Sequence, residues 1–199
     1  MNKQLKLRDG VEIYCEFSSV DKSTWIVHTH GVGEYAGRHN WLVEEFGVHY
    51  NVLRYDLRGH GRSGGKRAWV SNFFDYIRDL DEVISHLASE FQMKDYVMMG
   101  HSMGAEITCG WVQNFAKDNI YPSKIVVTSP PVNVGGPLEK LAEKVPYRVV
   151  KFLADINLSL PLKGLVDLNG LSHDPQVAID YRNNENNCTK LHTKLAFNI

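Results

Sequence analysis

The stretch Asp95 to Trp111, DYVMMGHSMGAEITCGW, constrains the fold more than any other. It reads as a strand, a sharp turn and a helix. At the turn, Gly100-His101-Ser102-Met103-Gly104 fits G-x-S-x-G. Such a turn lifts a serine hydroxyl clear of a sheet edge. Side chains at Gly100 or Gly104 would collide with neighbouring backbone. The helix behind the turn points its first N–H groups at charge developing near Ser102. Ser102 is therefore the candidate nucleophile.

The rest of the first half supplies a sheet for this turn. Leu5 to Leu7 and Val11 to Phe17 flank Asp9-Gly10, a hairpin signal. Trp25–Thr29, Asn51–Tyr55, Asp95–Met99 and Lys124–Thr128 read as short strands. Arg38–Phe46 and Ala105–Lys117 read as helices. Ser71 is the expected cap of a third helix, in which Phe73, Ile77, Leu80, Ile84, Leu87 and Phe91 recur at helical spacing. Alternating strands and helices predict an α/β fold, with a mostly parallel sheet opened by an antiparallel hairpin. Residues 1–134 form this core. Beyond it no clear strand is expected. Leu138, Leu141, Val145, Val149 and Phe152 suggest an apolar-faced helix, so residues 135–199 read as a helical cap laid over the sheet.

Acyl transfer needs two backbone donors converging on one oxygen. The N–H of Met103 supplies one. The second is expected from His30-Gly31-Val32-Gly33-Glu34, most plausibly at Val32, because Gly31 and Gly33 let the chain turn an N–H inward. A rival motif, Gly59-His60-Gly61-Arg62-Ser63-Gly64, matches G-x-G-x-x-G after a strand. A dinucleotide site needs a helix to begin at its third glycine, and Gly65 to Val70 intervene, so no cofactor is expected. His28 and His30 alternate on a strand without a wider ligand cluster, so no metal is expected. His39, His49 and His86 read as solvated. Arg54, Arg58, Arg62 and Arg67 read as a solvated loop.

Composition narrows the class further. The 199 residues carry a net charge of −1, with 43% hydrophobic and 23% charged residues, so a nucleic-acid partner is not expected. Three scattered cysteines form no disulfide framework. MNKQLKLRDG turns polar at once, and no apolar run is long enough to span a membrane. The expectation is a cytoplasmic protein.

At HGVGEYAGRH, YDLRGHGRSGGKR and GHSMG the chain resembles the serine hydrolases of the α/β-hydrolase fold. Within them it looks most like the monoacylglycerol lipase and lysophospholipase group of the serine aminopeptidase S33 type. LSHDPQVAIDYRNN followed by LHTKLAF is similar to the end of that family's helical cap. The resemblance implies a lipase or esterase that cleaves a lipid-like carboxylic ester through an acyl-enzyme on Ser102, with Val32 and Met103 as oxyanion donors. In this fold the triad runs in the order Ser, Asp or Glu, His. His173, Asp174 and His192 lie in cap sequence and make no convincing substitutes. The triad acid and base, with the family's last strands and helices, are therefore expected to be absent from this chain, as in a truncated protein. Lys124–Thr128 would then be an open sheet edge through which copies could associate. The rival expectation is a catalytically incomplete fragment or a non-catalytic module that binds an acyl ligand.

Overall fold

The computed structural model describes residues 1–116, 121–131, 146, 148–149, 152, 159–164 and 167–196. The predicted Leu138–Phe152 helix falls almost wholly outside them.

Two neighbouring strands, β1 (Asn2–Lys6) and β2 (Glu12–Phe17), form the predicted hairpin. Gly10 turns it at φ 88°, a conformation that favours glycine. Four further strands follow: β3 (Thr24–Thr29), β4 (Asn51–Tyr55), β5 (Asp95–His101) and β6 (Lys124–Thr128). The sheet order is β1-β2-β4-β3-β5-β6. β4, β3, β5 and β6 are parallel to one another, and β2 pairs antiparallel with β4. β4 is buried along its whole length, as a strand covered on both faces must be.

Helix α2 (Phe74–Glu90) buries Tyr76, Ile77, Leu80, Val83, Ile84 and Leu87. Each such side chain contributes about 1.5–3 kcal/mol on leaving water. Its start departs from the expectation. Ser71 bonds the Asp75 carboxylate, while Asn72 Oδ1 accepts the Phe74 N–H at 2.9 Å. The expected Arg38–Phe46 helix splits into a 3₁₀ turn, Ala36–His39, and a short α1, Trp41–Phe46. Helix α3 spans Met103–Asn114.

The described residues from 159 to 196 correct one expectation, that no strand follows residue 135. β7 (Pro161–Lys163) and β8 (Lys190–His192) pair antiparallel as a second small sheet. Between them lie a 3₁₀ turn (Leu168–Leu171) and α4 (Pro175–Asn183), capped by Asp174. α5 (Thr193–Ala196) follows β8. At the far side of the large sheet, β6 is exposed throughout, with Ile125, Val126 and Val127 facing solvent. No described helix is long and apolar enough to cross a membrane.

Candidate active site

The topology sets where chemistry can occur. β3 leads to β4 on one side, and β5 leads to β6 on the other. The crevice beyond the carboxyl ends of adjacent β3 and β5 is thus a topological switch point, where open α/β sheets bind ligands. The loop after β3 and the turn after β5 flank it.

Ser102 occupies that turn, between β5 and α3, at φ 53° and ψ −123°. A non-glycine residue held there is strained, as expected where a side chain is being aimed. Its N–H donates to the Thr128 carbonyl at 2.9 Å, which ties the turn to the end of β6. The two glycines are needed as the sequence implies. A Cβ on Gly100 would stand 2.7 Å from Thr108 Oγ1 and 2.7 Å from Ala105 Cα. One on Gly104 would strike the Thr29 carbonyl and stand 2.7 Å from that of His30. Met103 opens α3 and is buried. Val32 is half-buried and packs against the main core.

The loop carrying Val32 lies against the serine. A Cβ on Gly31 would meet Ser102 Cβ at 3.0 Å on one side and Glu34 Oε2 at 3.1 Å on the other. His30 Nε2 accepts the Leu57 N–H at 3.0 Å, so its ring proton sits on Nδ1 and donates to the Gly31 carbonyl at 2.7 Å. Burial lowers the His30 pKa to about 4, which keeps this neutral tautomer. Burial likewise holds His28 neutral and lowers His60 to about 3. Among the described residues no group of three or more His, Cys, Asp or Glu is placed to hold a metal ion.

Several polar residues read as solvated are not. His39 is buried and its Nε2 lies 3.1 Å from Glu34 Oε2. His86 is half-buried against Glu90 and Lys3. Arg54 is buried and pairs with Glu16 at 3.0 Å. Arg58 makes a two-pronged pair with buried Asp79, both bonds 2.6 Å, and reaches Asp9 at 2.8 Å. Arg62 and Arg67 are exposed, as expected, yet bonded: Arg62 meets Tyr14 and Glu16, and Arg67 donates to the carbonyls of Gly61, Glu185 and Asn186. Asp56, also unremarked in the sequence, accepts the Ala36 N–H at 2.6 Å and the Arg62 N–H at 2.7 Å. Burial raises its pKa, against the pull of those two amides.

The Gly59–Gly64 segment closes on itself through a Gly59 N–H to Gly64 carbonyl bond of 2.8 Å. α2 begins only at Phe74, so no helix start meets its third glycine. Among the described residues, no side chain is hydrogen-bonded to Ser102 Oγ. His192 Nδ1 lies 3.0 Å from Ser159 Oγ instead, and Asp174 is spent on its cap.

Residues 181–188 grip the loop after β3. The Cys188 N–H donates to the Gly33 carbonyl at 2.8 Å, and the Tyr181 hydroxyl fills the space where a Gly33 side chain would stand. Arg38 lies over the Tyr181 ring at 4.8 Å, and Asn184 donates to the Tyr35 hydroxyl at 2.8 Å.

Comparison with known proteins agrees with this architecture. The family model described as serine aminopeptidase, S33, matches residues 21–199. A monoacylglycerol lipase of Mycolicibacterium smegmatis is 31% identical over 162 residues, which is 79% of this chain and 54% of that protein. A human monoglyceride lipase is 28% identical over 195 residues, 96% of this chain and 61% of that protein. The chain thus spans less than two thirds of the length of these relatives. The crystal structure of Paleococcus ferrophilus monoacylglycerol lipase superposes with a TM-score of 0.75 at 26% identity, over 94% of this chain and 68% of that one. The chain belongs to the serine aminopeptidase S33 family and has the α/β-hydrolase fold.

Proposed function

We propose that Ser102 is the nucleophile of a carboxylic-ester hydrolase acting on monoacylglycerol- or lysophospholipid-like substrates. The observation that carries this reading is the strained Ser102 backbone, packed against Gly31 where two loops converge. In this mechanism Ser102 Oγ bonds to the ester carbonyl carbon while its proton passes to a base. The carbonyl oxygen gains charge and is held by the N–H groups of Val32 and Met103. Collapse breaks the ester C–O bond, and the alcohol leaves with a proton. Water then hydrolyses the acyl-enzyme and frees the acid. No described side chain is bonded to Ser102 Oγ, so the base and its carboxylate partner are proposed to lie outside these residues. Residues 135–199 act in this reading as the cap that holds the acyl chain, supported by their grip on Gly33 and Tyr35.

A fluorophosphonate probe tests the assignment. Folded protein that carries the base should be labelled on Ser102, and Ser102→Ala should lose roughly 10⁴-fold or more of the labelling rate. That no described side chain bonds Ser102 Oγ also favours a second reading, a non-catalytic module that binds an acyl ligand. Saturable binding of a fatty acid by folded protein that resists the probe would establish that reading. Self-association through β6 is a further proposal, supported by exposed Ile125, Val126 and Val127. Sedimentation should show a dimer that Val126→Lys dissociates.

A further inference from the structure

We propose that Glu34 is a positioning residue that sets the oxyanion loop from behind, an inference that rests on Val32 being an oxyanion donor. Glu34 is buried at the end of the loop, yet it is the carboxylate on which the loop closes. Its Oε2 accepts the Gly31 N–H at 3.0 Å and faces His39 Nε2 at 3.1 Å. Its Oε1 accepts from Arg38 Nε at 3.2 Å. The Glu34 N–H also closes back on the Gly31 carbonyl at 3.3 Å. Burial alone would raise its pKa, but the hydrogen bond and charge of His39 hold it well below the usual carboxylate range. The carboxylate is thus an ionised acceptor throughout the pH range in which a serine hydrolase works.

The position of Gly31 gives this pairing a consequence. Gly31 is sandwiched between Ser102 Cβ and Glu34 Oε2, and the peptide that follows it carries the Val32 N–H. The orientation of that peptide depends on the Gly31 amide staying turned toward Glu34. A donor must already face the oxygen before charge develops, because reorganising it during reaction raises the barrier. Glu34 touches no reacting atom in this scheme. It acts through Gly31 alone, with Arg38 and His39 fixing the carboxylate.

Two measurements on Glu34→Gln test the proposal, the first without any need for activity. Hydrogen exchange at the Gly31 amide should accelerate about 10- to 100-fold, the loss expected for one bond to a charged group, while β4 amides keep their protection. Fluorophosphonate labelling should fall about 10-fold or more in its maximal rate with little change in half-saturating probe, because the defect lies in stabilising charge, not in binding. Unchanged Gly31 exchange would overturn the proposal, as would accelerated exchange with an unchanged labelling rate. Equal acceleration at Gly31 and throughout β4 would also overturn it, by showing general loosening. Arg38→Gln leaves the carboxylate in place and should move both readouts in the same direction by a smaller factor; it decides the matter if Glu34→Gln does not fold. If the parent protein, with the base present, takes no probe at all, the nucleophile assignment fails, and the exchange arm alone still decides whether Glu34 holds the loop.

Discussion

The large sheet and the segment from residue 159 to 196 keep their places by different means. The sheet carries its own core, in which Trp25, Val27, Leu53, Tyr55 and Met98 are almost wholly removed from water. Among the described residues of the later segment, the buried apolar side chains are Ala178, Tyr181, Cys188, Leu191 and Leu195. Cys188, Leu191 and Leu195 pack into the sheet's core, and the segment is fastened further through main-chain groups: Cys188 to Gly33, His192 to Ala68, and Arg67 to the carbonyls of Glu185 and Asn186. The elements that carry Ser102, Met103 and Val32 therefore belong to the sheet and its loops, and the later segment is fastened onto them. A docked unit held by few apolar contacts opens at lower cost than the core beneath it.

Substitutions in each region sharpen the contrast. Asp79→Asn should have the largest effect on stability. It weakens one of the two carboxylate pairings of Arg58, leaving that with Asp9, and should cost about 2–3 kcal/mol, read as a lower denaturant midpoint for the whole protein. Arg67→Ala should act locally. It removes donors to three carbonyls and should cost about 1–2 kcal/mol, seen as faster exchange at the Cys188 and His192 amides with β3 and β5 unchanged. Equal loosening of β3 would erase the distinction between core and docked unit.

The smallest effect is expected at Glu106 on α3. Burial raises its pKa to about 7, and its Oε2 meets no donor among the described residues. The folded state then holds a proton that the unfolded state releases from about pH 4.3 upward, so this group's contribution falls as pH rises to about 7. Glu106→Gln should flatten that decline and leave the variant slightly more stable than the parent at pH 8. Thermal melts across this range check the sign.

What could be read in advance follows the same division. The elbow was legible because local signals agree there: an apolar strand, two glycines that permit close approach, and a helical pattern behind them. Asp9-Gly10 announced its hairpin for a similar reason. β7 and β8 were not legible, since three-residue strands carry too little alternation to register, and Pro161 argues against one of them. The buried state of His39 and Arg54 was hidden because their partners, Glu34 and Glu16, are recognisable only after the chain has folded. Asn72 displaced Ser71 at the start of α2 because an Asx turn and a serine cap look alike in sequence.

Asp56 gives two remote parts of the molecule a common anchor. One of its oxygens takes the backbone just beyond the serine-facing loop, at Ala36; the other takes the Arg62 N–H, next to Gly61, whose carbonyl accepts from the same Arg67 that donates to Glu185 and Asn186. Replacing that single side chain should unmoor both ends at once, so loosening of the Ala36 turn and loosening of residues 185–188 would be inherited together.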